Sequence, residues 1–285
     1  MIVDFHAHVI VGDASPPPAM VGEHTDPARI LEETGADHIV LSPWVRLLEG
    51  DLDALNERLA ALVGDRVSVL GGIPLERPDE LRTVLDAGLA GVEVPASVDG
   101  RYLGDERFAP FWAAAEETGA VVFIHPTTRA FDWPDYYLWN TVGNPFETTI
   151  TAAHMVIAGV MERHPNLRVL LAHGGGAILA LRGRLRHAHG FQPQARSRLS
   201  ESPDDSLRRF YFDTLTHDPE LLRALVEFAG PARVLLGSDY PFDMGDERAA
   251  DGVRAAGLGA EAEEAILGGN ATRLLGRVPR EEMIG

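Results

Sequence analysis

At 285 residues, with 45% hydrophobic and 24% charged side chains, the chain has the make-up of an ordinary globular protein and the length for one large α/β barrel or two modest domains. A net charge of −18 argues against a nucleic-acid-binding surface and against anionic membranes. Cysteine is absent, and every basic residue other than histidine is arginine. This excludes disulfides, thiolate metal sites, a cysteine nucleophile, Schiff-base chemistry, a P-loop lysine and two metals bridged by a carboxylated lysine.

The chain begins with Met1-Ile2-Val3, an apolar run that leads into Asp4-Phe5-His6-Ala7-His8. On a strand, alternate side chains share a face, so Asp4, His6 and His8 are expected to point the same way. Two imidazoles about 6–7 Å apart on one strand face can grip a metal ion if other ligands converge on it. A loop with three consecutive prolines follows and contains His24, read as an exposed residue. Asp26-Pro27 then caps a helix through about residue 33. Residues 38–42 form a second strand, and Pro43-Trp44-Val45-Arg46 a loop at its end. Leu52, Leu55, Leu59 and Leu62 recur at helical spacing.

Further strands are expected over 67–74, 91–95, 121–126, 167–173, 210–213 and 233–239. Helices are expected between them, over 78–88, 105–118, 145–163, 174–187 and 218–228, and two more over 260–267 and 270–275. An aromatic loop with Phe131, Trp133, Tyr136, Tyr137 and Trp139 follows the fifth strand, and residues 190–206 read as a polar loop. Short apolar strands bounded by turn residues suit a parallel sheet buried on both faces. Eight such units without a dividing linker predict a single (β/α)8 TIM-barrel domain over 1–285. No Gly-rich fingerprint follows the first strand, which disfavours an open dinucleotide-binding sheet. The N-terminus carries no leader pattern and no apolar run approaches 18 residues, so the expected location is cytoplasmic.

In such a barrel the active site lies at the C-terminal ends of the strands. His6 and His8 end the first strand, His125 the fifth, His173 the sixth and Asp239 the eighth. Imidazole and carboxylate donors without thiolate suit Zn²⁺, the expected ion, and also Mn²⁺, Fe²⁺ or Co²⁺. Three histidines plus Asp239 leave one position of a five-coordinate ion open, and His173 is then the spare histidine, a candidate general acid/base.

These residues carry a family resemblance. Asp4-Phe5-His6-Ala7-His8, Ile124-His125-Pro126, Leu171-Ala172-His173-Gly174-Gly175-Gly176 and Gly237-Ser238-Asp239-Tyr240-Pro241-Phe242 resemble the amidohydrolase superfamily. Within it they look similar to the mononuclear branch around aminocarboxymuconate-semialdehyde decarboxylase and γ-resorcylate decarboxylase. Asn144-Pro145-Phe146-Glu147-Thr148-Thr149 and Thr216-His217-Asp218-Pro219 look like the same branch.

The resemblance implies a distorted (β/α)8 barrel, one divalent metal ion and a homodimer. It implies His6, His8, His125 and Asp239 as ligands and His173 as acid/base, with Asp239 assisting. The loop after His8 is shorter than is usual in the decarboxylases, and in aminocarboxymuconate-semialdehyde decarboxylase the longer insertion brings a substrate-binding arginine. Arg46 and Arg129 are the candidates to replace it, with Trp139 as a pocket aromatic and His217 within reach of the site.

The function expected is metal-dependent, non-oxidative decarboxylation of a small unsaturated or aromatic carboxylic acid. The alternatives are a metal-dependent lactone or amide hydrolase, a hydratase, and an inactive metal-binding relative. Blander roles are expected elsewhere. Asp4 reads as a partner that orients ligands or caps the strand, and Glu147 as a charge at a helix N-terminus. His154, His164, His187 and His189 read as surface or packing residues.

Overall fold

The structure, a computed structural model, describes residues 1–127, 131 and 133–276. Its strands are β1 (Val3–Val9), β2 (His38–Pro43), β3 (Val67–Gly71), β4 (Gly91–Pro95), β5 (Ser97–Val98), β6 (Arg101–Tyr102), β7 (Val121–His125), β8 (Arg168–Leu171), β9 (Tyr211–Asp213) and β10 (Val234–Leu235). β5 and β6 form a small antiparallel hairpin, and the other eight form one parallel sheet in the order β1-β2-β3-β4-β7-β8-β9-β10. The segment after β10 brings the sheet back to β1. Phe5 N–H donates to the Leu236 carbonyl at 2.8 Å and His8 N–H to the Tyr240 carbonyl at 2.7 Å. The result is the (β/α)8 barrel expected from the alternation of elements.

The last strand is shorter than the predicted 233–239. The N–H groups of Ser238 and Asp239 both turn to the His6 carbonyl, at 3.2 and 2.7 Å, which a regular ladder does not allow. Asp239 itself has φ +55°, in the left-handed region. The β1–β2 pairing also slips between Asp4 and Ala7, so the strict alternation expected along β1 is interrupted. His6 and His8 still meet, with Nε2 atoms 3.1 Å apart. Asp4 does not join them. It is buried, accepts from the backbone N–H of His6 and of Ser238 at 3.1 Å each, and takes the Ser238 hydroxyl at 2.5 Å. It therefore stitches the barrel closed under the site.

Local chemistry sets the helix limits. Asp26, Asp51 and Asp218 accept from first-turn N–H groups of the helices they precede. The helix predicted over 145–163 is two, Asn144–Ile157 and Val160–Arg163. Gly159 divides them at φ +73°, where a Cβ would sit 2.3 Å from the Arg198 carbonyl. The polar stretch 190–206 contains two short helices, Pro193–Arg196 and Pro203–Leu207, each opened by its proline. Among the described residues no helix is long and apolar enough to cross a membrane.

Inside the barrel, Val3, Phe5, Val40, Leu70, Val121, Phe123, Leu170 and Leu235 pack together and meet Ala271 and Leu274 of the C-terminal helix Asn270–Leu274. This apolar plug supports the polar cluster at the strand ends. The His6 ring lies 4.8 Å from that of Phe123.

Candidate metal centre

The strand-end residues converge as the barrel geometry predicts. Asp239 Oδ1 lies 3.2 Å from His6 Nε2 and 3.1 Å from His8 Nε2. His125 closes the cluster, its ring centre 4.7 Å from that of His8 and 5.4 Å from that of His6. His173 stands on the other oxygen of the same carboxylate, with Nε2 3.4 Å from Asp239 Oδ2. Single nitrogen or oxygen atoms of His6, His125, His173 and Asp239 all fall within 4.8 Å of one another. Asp239 thus faces two histidines with one oxygen and a third with the other.

The donor chemistry fits a divalent cation. His125 Nδ1 lies 3.1 Å from the Pro126 carbonyl and donates to it, which leaves Nε2 as the basic face. That Nε2 is buried without a hydrogen-bond partner among the described residues, as is Asp239 Oδ1. Unpaired buried polar atoms are costly, and several converging on one point mark a place for an ion. Bonds of about 2.0–2.2 Å from one ion to two donors put those donors a little over 3 Å apart.

Charge is arranged around the same point. Burial opposes a charge on His6, but Asp239 and Asp213 outweigh it and raise its pKa to about 10. Burial lowers the pKa of His8 and, with the neighbouring imidazoles, takes that of His125 well below the usual range. Asp239 stays ionised against its burial because His6 and the other imidazoles hold it well below the usual carboxylate range.

Two carboxylates that the sequence reading assigned no role support this cluster. Asp213, at the end of β9 and fully buried, accepts from His6 Nδ1 at 2.7 Å. It also takes the backbone N–H groups of His173 at 2.8 Å and Gly174 at 2.7 Å. One carboxylate therefore orients a ligand candidate and the turn that carries His173. Its signal in the sequence was its position, an aspartate ending a core strand as His125 and Asp239 do. Glu93, on β4, is buried with neither carboxylate oxygen hydrogen-bonded, 4.0 Å from His8 Nδ1. Burial pushes its carboxyl up to about 8. A charged residue inside the run Gly91-Val92-Glu93-Val94-Pro95 was the available clue.

The mouth is shaped by the segment between β7 and the helix Asn144–Ile157. A cavity of about 230 Å³ is lined by Trp44, Arg46, Trp139 and Phe242 above His125, His173 and Asp239. A neighbouring lobe of the same size reaches Thr216 and His217. Arg46, Trp139 and His217 therefore all border the cleft. Arg129, the other arginine candidate, lies outside the described residues.

Tyr137 reaches across the mouth and donates to Asp243 at 2.8 Å. Glu147 sits in the first turn of the helix Asn144–Ile157, as expected, but does more than charge a helix end. It is buried, accepts from Ser97 Oγ at 2.7 Å and from Thr127 N–H at 2.7 Å, and so ties down the chain just after His125. His154, His164, His187 and His189 lie away from the cleft, and His164 pairs with Glu116 at 2.9 Å.

A family model described as amidohydrolase matches residues 3–277. The 2-amino-3-carboxymuconate-6-semialdehyde decarboxylase of Dictyostelium discoideum is 34% identical over 239 residues, which are 80% of this chain and 67% of that protein. The 6-methylsalicylic acid decarboxylase of Penicillium expansum is 37% identical over 147 residues, 49% of this chain and 44% of that protein. A solved 5-carboxyvanillate decarboxylase of Novosphingobium aromaticivorans, complexed with manganese and 4-hydroxy-3-methoxy-5-nitrobenzoic acid, superposes with a TM-score of 0.83. It is 17% identical, and the match covers 97% of this chain and 96% of that one, a likeness of fold.

Proposed function

The chain belongs to the amidohydrolase family, and from that premise we propose that it is a metal-dependent, non-oxidative decarboxylase of small aromatic or unsaturated carboxylic acids. Its curated relatives support this reading, since two that match it are decarboxylases. The observation that carries it is the division of Asp239, one oxygen toward His6 and His8, the other toward His173. A carboxylate shared in this way can hold a cation and steady a proton carrier at once.

His6, His8, His125 and Asp239 would hold one divalent ion. Zn²⁺ is the proposed resident, and the same N/O donors suit Mn²⁺, Fe²⁺ and Co²⁺. The manganese in the Novosphingobium enzyme supports that wider set. Bound there, the ion supplies Lewis-acid stabilisation of charge developing on substrate oxygens.

The chain's own residues do the rest. Trp44, Trp139 and Phe242 flank a planar substrate and exclude water. Arg46, on the same wall, attracts its negative charge. His173 delivers a proton to the carbon that bears the carboxyl group, and Asp239 Oδ2 steadies the imidazole while it is charged. The electron pair of the breaking carbon–carbon bond is taken up by that proton. Carboxylate and proton go in, carbon dioxide and a C–H product come out, and nothing is oxidised or reduced. His217 serves the second lobe of the cleft.

A single barrel domain over 1–285, a homodimer and a cytoplasmic location belong to the same proposal, and sedimentation equilibrium tests the dimer. Hydrolysis or hydration at the same donors is the alternative chemistry. The two are separated by assaying candidate acids in ¹⁸O-labelled water. Carbon dioxide release with an unlabelled organic product supports decarboxylation, and labelled oxygen in the organic product contradicts it.

A further inference from the structure

The two lobes of the cleft share a wall made by Asn140, Asn144, His173 and Asp239. Asn144 is the member whose chemistry is unspent. It is only 6% exposed. Its backbone carbonyl accepts from Thr148 Oγ1 at 3.3 Å, while its side-chain amide has no hydrogen bond to any described residue. Three other asparagines spend their amides inside the fold. Asn56 Nδ2 and Oδ1 both bond Gly72, Asn270 Nδ2 donates to two carbonyls, and Asn140 Nδ2 donates to Tyr137. A cleft-wall amide without an internal partner is available to whatever fills the cleft.

Its position is fixed by backbone. Asn144 opens the helix Asn144–Ile157 directly from a π-helical turn, Trp139–Gly143, a distortion that recurs at functional sites. Gly176, with φ +65°, packs so closely that a Cβ there would lie 2.0 Å from the Pro145 carbonyl. The turn carrying His173 and the helix carrying Asn144 are thus held against each other. Asn144 therefore borders both lobes of the cleft together with His173.

We propose that Asn144 is a specificity-determining residue. Its amide exchanges a hydrogen bond with a hydroxyl or phenolate oxygen next to the carboxyl group on the substrate ring, so the cleft selects hydroxy-substituted aromatic acids over bare ones. This rests on the decarboxylase reading only for the identity of the acid, because the selection is one of binding. A ring without the oxygen strips water from the amide and returns nothing, which penalises it.

The test measures salicylate and benzoate binding to the zinc-loaded protein by calorimetry. Wild type should bind salicylate about tenfold more tightly or better. Asn144→Leu, close in size, should erase that preference and leave benzoate within about twofold of wild type. Asn144→Ser, which keeps a hydroxyl and guards against misfolding of the leucine variant, should retain part of it. A preserved ratio in Asn144→Leu, equal weakening of both ligands, or no preference in wild type overturns the proposal. Carbon dioxide release from the same acids is scored separately. Selective binding lost in Asn144→Leu, without release from wild type, sinks the decarboxylase reading and sustains the role of Asn144.

Discussion

The floor and the wall of the cleft are built on opposite plans. On the floor, His6, His8, His125 and Asp239 are buried, and the three rings are backed by Asp213, by Ser42 and by the Pro126 carbonyl. Each projects from a strand end or the segment that closes the barrel. The wall is made by connections: Trp44 and Arg46 follow β2, Phe242 follows β10, and Trp139 and Asn140 stand between β7 and the helix Asn144–Ile157, where nearby Tyr136 is 92% exposed. Tyr136 and Tyr137 there adopt positive φ, at 55° and 64°. A dry floor can fix an ion and a proton carrier with little freedom, whereas a loop wall can change its shape and chemistry without disturbing them. On the proposed function, chemistry and substrate choice belong to separable parts of the chain.

That separation can be broken most severely at the floor. His6→Ala should leave protein with almost no bound divalent ion by elemental analysis, and turnover should vanish with it. An ion content near wild type would remove His6 from the ligand set. Asp213→Asn keeps the shape but gives up the charge behind His6 Nδ1, and should weaken cation affinity by about 10–100-fold. Competition with a chelator reads that loss, and unchanged affinity would reduce Asp213 to a packing role.

The pH dependence follows from His6, whose pKa of about 10 in the ion-free protein exceeds the ordinary value. Below that pH it is protonated, and a ligating imidazole must be neutral, so ion uptake releases a proton. Affinity should therefore rise with pH toward about 10. Calorimetry in buffers of different ionisation enthalpy should detect the released proton, and a buffer-independent heat at pH 8 would contradict the assignment. The smallest effect belongs to the wall. Trp139→Ala should raise KM several-fold and leave ion content unchanged, while a lost ion would mean that wall and floor are not separable.

The floor was largely legible in the sequence because it obeys a positional rule. His6, His8, His125, His173 and Asp239 each close an apolar run, and parallel strands of a barrel deliver their ends to one rim. Asp213 follows the same rule at β9, but a single aspartate closing a three-residue strand is indistinguishable from a turn residue until His6, 207 positions away, is seen against it. Glu147 sits in the first turn of its helix, where a stabilising charge is the ordinary account. Only the fold buries it against Ser97 and Thr127. The shortened β10 depends on two N–H groups sharing the His6 carbonyl, which no local propensity encodes. The wall was legible only as a concentration of aromatics, since loop geometry is set by tertiary contacts such as Tyr137 with Asp243.

In the proposed function, Asp239 serves the cation with one oxygen and His173 with the other. The direct measurement is ion content and turnover of His173→Ala beside wild type. We predict a full complement of divalent ion and a loss of turnover on the order of 10²–10⁴-fold. A variant that loses its ion together with its activity would make His173 a ligand and contradict the division of roles.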